Sequence, residues 1–157
     1  MSYSNIVQMQ FARSGPARQT ISGTVPQTIS GLSIDFTPKF ADSLILLEAI
    51  YTHTFVYVNT HGFYQDGSTI VSTSGFTNSS SANQQQTVYF NGTSTDRIYP
   101  VHIMDTVAAG STVQRTYDVR CLSRWIGTSY TSYVNNRNNN DMASFGHFTV
   151  TEIYNGD

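Results

Sequence analysis

This chain has few charges, one cysteine and no long apolar stretch, and each shortage excludes a class of protein. Lys and Arg number 8 and Asp and Glu 10 among 157 residues, for a formal net charge of −2. So few charges mean weak long-range fields. No basic run exists, so nucleic acid has no electrostatic footprint to bind. The nearest to a basic cluster is Arg115, Arg120 and Arg124. Asp118 interrupts it, and it reads as a solvated sheet face. The same scarcity argues against amphipathic helices, whose outer faces are built of Glu, Lys, Arg and Ala. The single cysteine, Cys121, excludes an internal disulfide. It lies in phase with Tyr117 and Val119 and reads as a small buried hydrophobe. No apolar run exceeds the four residues Leu44–Leu47, far short of the ~20 of a membrane-spanning helix. The N-terminal MSYSNIVQMQ lacks the charged and apolar regions of a secretory signal. No membrane insertion is expected, and the expected site of folding is a cytoplasm.

What the chain does have is neutral polarity and period-two alternation. Ser, Thr, Asn and Gln supply 59 residues, and aromatics are 13% of the chain. Thr, Tyr, Val, Ile and Phe suit a half-buried pleated surface, and bulky rings suit the space between two packed sheets. Alternation predicts strands at Ile6–Phe11, Gln19–Ser22, Leu32–Phe36, Leu44–His53, Phe55–Tyr64, Thr69–Thr73, Thr87–Phe90, Ile98–Met104, Val113–Arg124, Tyr130–Val134 and Phe145–Tyr154. Gly62 reads as a bulge or bend, and Gln65-Asp-Gly-Ser as a turn. Residues 74–86 (SGFTNSSSANQQQ) and 135–141 (NNRNNND) read as polar surface loops. No segment holds a 3.6-residue period over three turns. The expected architecture is a single all-β domain over residues 1–157, a jelly-roll-like β-sandwich.

Enzyme signatures are missing. There is no Gly-x-Ser-x-Gly and no Gly-rich phosphate loop. His53, His61, His102 and His147 are scattered, with no pair one residue apart to hold a metal, and each reads as an interfacial or surface residue. The expectation is a non-enzyme with no catalytic residue, no metal and no cofactor. Tyr130, Tyr133, Asn135, Asn136 and Arg137 are the ligand-binding candidates. Tyrosine and amide groups at a strand–loop junction stack on and hydrogen-bond sugars. The same residues also read as core tyrosines and turn asparagines.

Leu44–Tyr51 is apolar on both faces, with Ile45, Leu47, Ala49 and Tyr51 on one and Leu44, Leu46 and Ile50 on the other. A lone two-sheet domain covers only one face of each sheet, so Leu44, Leu46 and Ile50 are subunit-interface candidates in a closed oligomer, expected to be a homotrimer. Glu152 joins them because it lies in phase with Phe148, Val150 and Tyr154. A carboxylate on an apolar face demands a partner. The expected partner is one of Arg115, Arg120 and Arg124, a hydroxyl, or a neighbouring subunit's amide.

Two longer segments, Gly31–Leu47 (GLSIDFTPKFADSLILL) and Phe148–Ile153 (FTVTEI), carry a resemblance. The chain resembles a widespread group of phage virion proteins that carry a Gly-Leu-Ser…Thr-Pro segment, then a Ser-Lys-Ile-Leu-Val-like strand, and a terminal Thr-Val-x-Glu-Ile-like strand. Met104-Asp-Thr, Thr116-Tyr-Asp-Val and Asn135–Asp141 follow in the same order as the group's weaker motifs. Leu44 stands where the group has lysine. The resemblance implies a virion structural protein, assembled in the host cytoplasm. It would act as a capsid decoration or cement protein or as a tail-fibre or knob component, with other virion proteins as partners. The rival reading is a carbohydrate-binding receptor module that meets a host surface glycan.

Overall fold

A computed structural model describes residues 5–23, 25–69, 86–89, 94–125, 128–136 and 143–154. Twelve strands form: β1 (Asn5–Arg13), β2 (Gln19–Ile21), β3 (Gln27–Phe36), β4 (Leu44–Phe55), β5 (Val58–Gln65), β6 (Ser68–Thr69), β7 (Gln86–Tyr89), β8 (Ser94–Ala108), β9 (Arg115–Trp125), β10 (Thr128–Ser129), β11 (Ser132–Val134) and β12 (His147–Tyr154). There is no helix among the described residues. Of the two predicted loops, residues 74–85 and 137–141 lie outside them.

The strands make two antiparallel sheets. In the first, β4 runs down the middle, with β8 along one edge. β12 and then β11 follow its other edge, and beyond them lie β1 and β2. In the second, β9 lies between β3 and β5, and β5 carries β7 and β6 on its far edge. The nested antiparallel pairs β1–β12, β3–β9, β4–β8 and β5–β7 are the jelly-roll arrangement, in which the first half of the chain wraps against the second.

The alternating residues meet between the sheets. Ile45, Leu47, Ala49 and Tyr51 face Leu32, Ile34, Phe36, Phe63, Tyr117 and Val119, and Phe148 and Val150 close the layer. Phe63 of one sheet stacks on Phe148 of the other at 5.7 Å. Cys121 is buried, as its phase requires. Asp66 and Gly67 both take positive φ (50° and 79°) in the β5–β6 turn, the geometry that suits a two-residue hairpin.

The bulge falls elsewhere than the sequence predicts. Gly62 sits in an unbroken ladder, directly opposite Arg120. The Arg120 guanidinium lies over the Tyr64 ring at 4.3 Å. The register shift in this sheet is in β3, between Thr28 and Ser33, where Gly31 has φ +82°.

Candidate functional site

The outer face of the first sheet is the most unusual surface. Register assigns its four rows across β1, β12, β4 and β8: Ile6, Ile153, Leu44, Ala108; then Met9, Thr151, Leu46, Thr106; then Phe11, Thr149, Glu48, Met104; then Arg13, His147, Ile50, His102. Ile6, Met9, Phe11, Leu44, Ile50 and Met104 are each between 41% and 76% exposed. Leu46 is half-buried. The predicted interface residues Leu44, Leu46 and Ile50 therefore share one face with β1 residues that single-strand reasoning did not include. β1 alternates too, but its phase relative to β4 is visible only once the sheet is paired. Glu48 and His102 bond to each other on this face at 2.8 Å.

Glu152 faces inward and is fully buried within its own chain. Its carboxylate accepts the Lys39 and Phe40 amides (2.9 Å each), lies 2.8 Å from the Ser43 hydroxyl, and accepts the Gln8 amide at 2.7 Å. Two of the three arginines are engaged elsewhere, Arg115 with Asp66 and Arg120 with Asp118, and the Arg124 side chain lies outside the described residues. The expected hydroxyl is that of Ser43. Apart from Gln8 of β1, the groups that hold the carboxylate come from residues 37–43, the corner that carries the chain from the second sheet to the first. Phe40 of that corner also stacks on Tyr154 at 4.4 Å. Burial raises the Glu152 pKa, but the bonds from Lys39, Phe40, Ser43 and Gln8 outweigh it, and the net shift is below the ordinary 4.5.

The ligand candidates are not gathered into one site. Tyr130 packs against Tyr57 at 5.1 Å, whereas Tyr133 lies under the Arg18 guanidinium at 4.6 Å. Asn135 is buried with φ 63°. Its amide donates to the Thr52 carbonyl and its side chain to Ser14 Oγ at 2.6 Å, which is turn chemistry. Asn136 is buried beside it, and Arg137 lies outside the described residues. An open cleft of about 400 Å³ is lined, among the described residues, by Gly15, Ala17, Arg18, Gln19, Thr20, Ser30 and Asn135. Gln19 in that wall is already spent, donating to the Thr28 carbonyl and accepting the Ser30 amide, both at 2.7 Å.

The histidines correct the sequence reading. His53 and His61 are neither interfacial nor superficial: both are fully buried, with ring centroids 5.2 Å apart. They belong to a polar network that links the sheets. Tyr51 Oη lies 2.6 Å from His61 Nδ1, and Tyr99 Oη 3.1 Å from Nε2. Asn59 Nδ2 donates to Tyr99 Oη and to the Thr54 carbonyl. Ser123 donates to Asn59 Oδ1, and Ser132 Oγ lies 2.6 Å from Ser123 Oγ and 2.7 Å from His53 Nε2. A usable signal was present, because His53 is in phase with Tyr51 and His61 with Phe63. Among the described residues no group of three or more His, Cys, Asp or Glu is placed to hold a metal ion.

No family model and no curated protein matches this chain.

Proposed function

We propose that this chain is a structural subunit of a phage particle that assembles with copies of itself through the outer face of the β1–β12–β4–β8 sheet. The exposed apolar rows of that face carry the reading. The virion setting rests on the resemblance of Gly31–Leu47 and Phe148–Ile153 to phage structural proteins.

Three features favour a second copy as the occupant. Arg13 and Glu48 are the face's only fixed charges and they cancel, so the face offers nothing to a strongly charged partner. Four strands at ~4.8 Å spacing and four rows at ~6.8 Å give roughly 500 Å² per copy. Two such faces together bury on the order of 1,000 Å², the lower bound for a specific interface. Association by strand addition is opposed at the β8 edge. Pro100 has no amide to give, and the Thr106 amide is taken by Asp105 Oδ1 at 2.7 Å.

The test is Phe11→Asp combined with Ile50→Asp. A carboxylate in the covered face costs about 3 kcal/mol or more, which is about a 100-fold loss in association constant. Light scattering is expected to show a closed oligomer for the parent and a folded monomer for the double variant. A parent that is monomeric at micromolar concentration overturns the proposal.

A further inference from the structure

The interior is not of one kind. One end is closed by Phe36, Phe63, Phe148 and Val150. At the other end the two sheets are joined by the network of Tyr51, His53, Asn59, His61, Tyr99, Ser123 and Ser132.

The hydrogen bonds of that network run one way. The Thr54 carbonyl fixes Asn59 with its nitrogen as donor. Ser123 therefore spends its one proton on Asn59 Oδ1, at 2.5 Å. Ser132 must then donate to Ser123, and His53 Nε2–H must donate to Ser132. This fixes the His53 tautomer and leaves its Nδ1 lone pair buried without a partner among the described residues.

We propose that this end of the sandwich is an acid-opened clamp: a proton taken up by His53 or His61 parts β4 and β8 from β5 and β9 there and frays the β5–β9 ladder that loses its support, while the apolar end stays packed. The bare Nδ1 of His53 is the natural seat for the proton, but an imidazolium there has no counter-ion among the described side chains. The titratable groups facing it among them are His61 of β5, Tyr51 of β4, Tyr99 of β8 and Cys121 of β9, and β11 contributes only Ser132. Burial raises the pKa of Tyr51, Tyr99 and Cys121 and keeps all three neutral. The carboxylate on the same face of β8, Asp105, is six residues from Tyr99, about 20 Å along the strand. His61 fares no better, since a second ring proton would need both Tyr51 and Tyr99 as acceptors.

Burial lowers His53 to about 3, and burial with the neighbouring His53 holds His61 well below the ordinary 6.5. The closed end therefore stays neutral while an opened end binds protons below about pH 6.5. Closure is fully favoured above that pH and weakens as pH falls toward 3. Each histidine shifts the opening equilibrium about tenfold per pH unit, so pH 5.0 favours opening about 30-fold through one and about 1,000-fold through both.

Amide hydrogen exchange at pH 7.5 and 5.0, corrected for intrinsic chemical rates, reads this directly. Peptides covering residues 58–63 and 119–124 are expected to lose protection about 30- to 1,000-fold. Peptides covering residues 32–36 and 148–153 are expected to change less than about threefold. His53→Gln and His61→Gln should each flatten the dependence by about one proton. Protection that is independent of pH overturns the clamp. So does a uniform loss over both ends, which is global unfolding. The comparison within the parent protein stands even if a variant does not fold, and its outcome does not depend on oligomeric state.

Discussion

Glu152→Ala is expected to cost about 3–5 kcal/mol of stability, the scale of leaving two or three buried donors without an acceptor. The loss has a specific origin. The Lys39 and Phe40 amides and the Gln8 side-chain amide lose their acceptor together, and the Ser43 hydroxyl loses its neighbour. Each unsatisfied donor costs roughly 1–3 kcal/mol less whatever water recovers. For a chain of this size 1 kcal/mol moves the melting temperature by about 2–4 °C, so a drop near 10 °C is expected. Glu152→Gln keeps an oxygen for the two backbone amides, but Gln8 must turn its amide and give up the bond its Nε2 also makes to the Thr37 carbonyl. Its cost should be about 1–2 kcal/mol, the scale of one hydrogen bond to a charged group. The parent also carries a pH signature. The folded pKa is below 4.5, so the carboxylate's contribution is complete above pH 4.5 and fades as pH falls through the lower folded value. Glu152→Gln should lack that acid limb. Equal melting temperatures for parent, Ala and Gln would show that the corner does not depend on this carboxylate.

Gly31→Ala is expected to be comparably damaging, at about 3 kcal/mol or more. Gly31 has φ +82°, and a Cβ there would stand 2.9 Å from Ser14 Cα and 3.0 Å from the Arg13 carbonyl oxygen. Both are backbone atoms and cannot rotate away. The left-handed backbone alone costs a side chain roughly 1–2 kcal/mol, and the overlap adds to it. The contact also disturbs Ser14, which joins three segments: its amide donates to the Gly146 carbonyl, and its hydroxyl accepts from Gly146 and Asn135. Gly15→Ala is the matched control, because nothing lies within 4 Å of its added Cβ. Denaturant titration should separate the two by more than 2 kcal/mol if the bulge is placed correctly, given the overlap just described. Near-equal midpoints would argue against it.

The two glycines show where sequence reading stops. Alternation located β4 and the inward face of β3 because Leu32, Ile34 and Phe36 each repeat the same demand for burial. A glycine states no such demand. Gly62 and Gly31 look alike in sequence, yet one sits in an unbroken ladder opposite Arg120 and the other lets two backbones touch, and only the paired strands distinguish them. The outer face was half visible for the same reason: Leu44, Leu46 and Ile50 announced an unburied stripe, whereas Met9 and Phe11 joined it through pairing across β12. Glu152 declared its need for a partner by phase. Two of its donors, backbone amides of a corner more than a hundred residues away, have no side-chain signature, and Gln8 and Ser43 do not stand out among so many neutral polar residues. His53 and His61 carried the phase signal, but their meeting required the crossover from β4 in one sheet to β5 in the other.

The way Glu152 is held has a consequence for ionic strength. Its donors are neutral amides and a hydroxyl in direct contact, so no pair of separated charges exists for dissolved ions to screen. The network of His53 and His61 is likewise uncharged. The Arg115–Asp66 ion pair and the Glu48–His102 contact sit at the surface, where such pairs contribute about 0–1 kcal/mol, and the least exposed pair, Arg120–Asp118, is in direct contact at 2.6 Å and is screened little. Melting temperature should therefore hardly move between dilute buffer and molar sodium chloride, and the domain keeps its shape across waters of very different salinity.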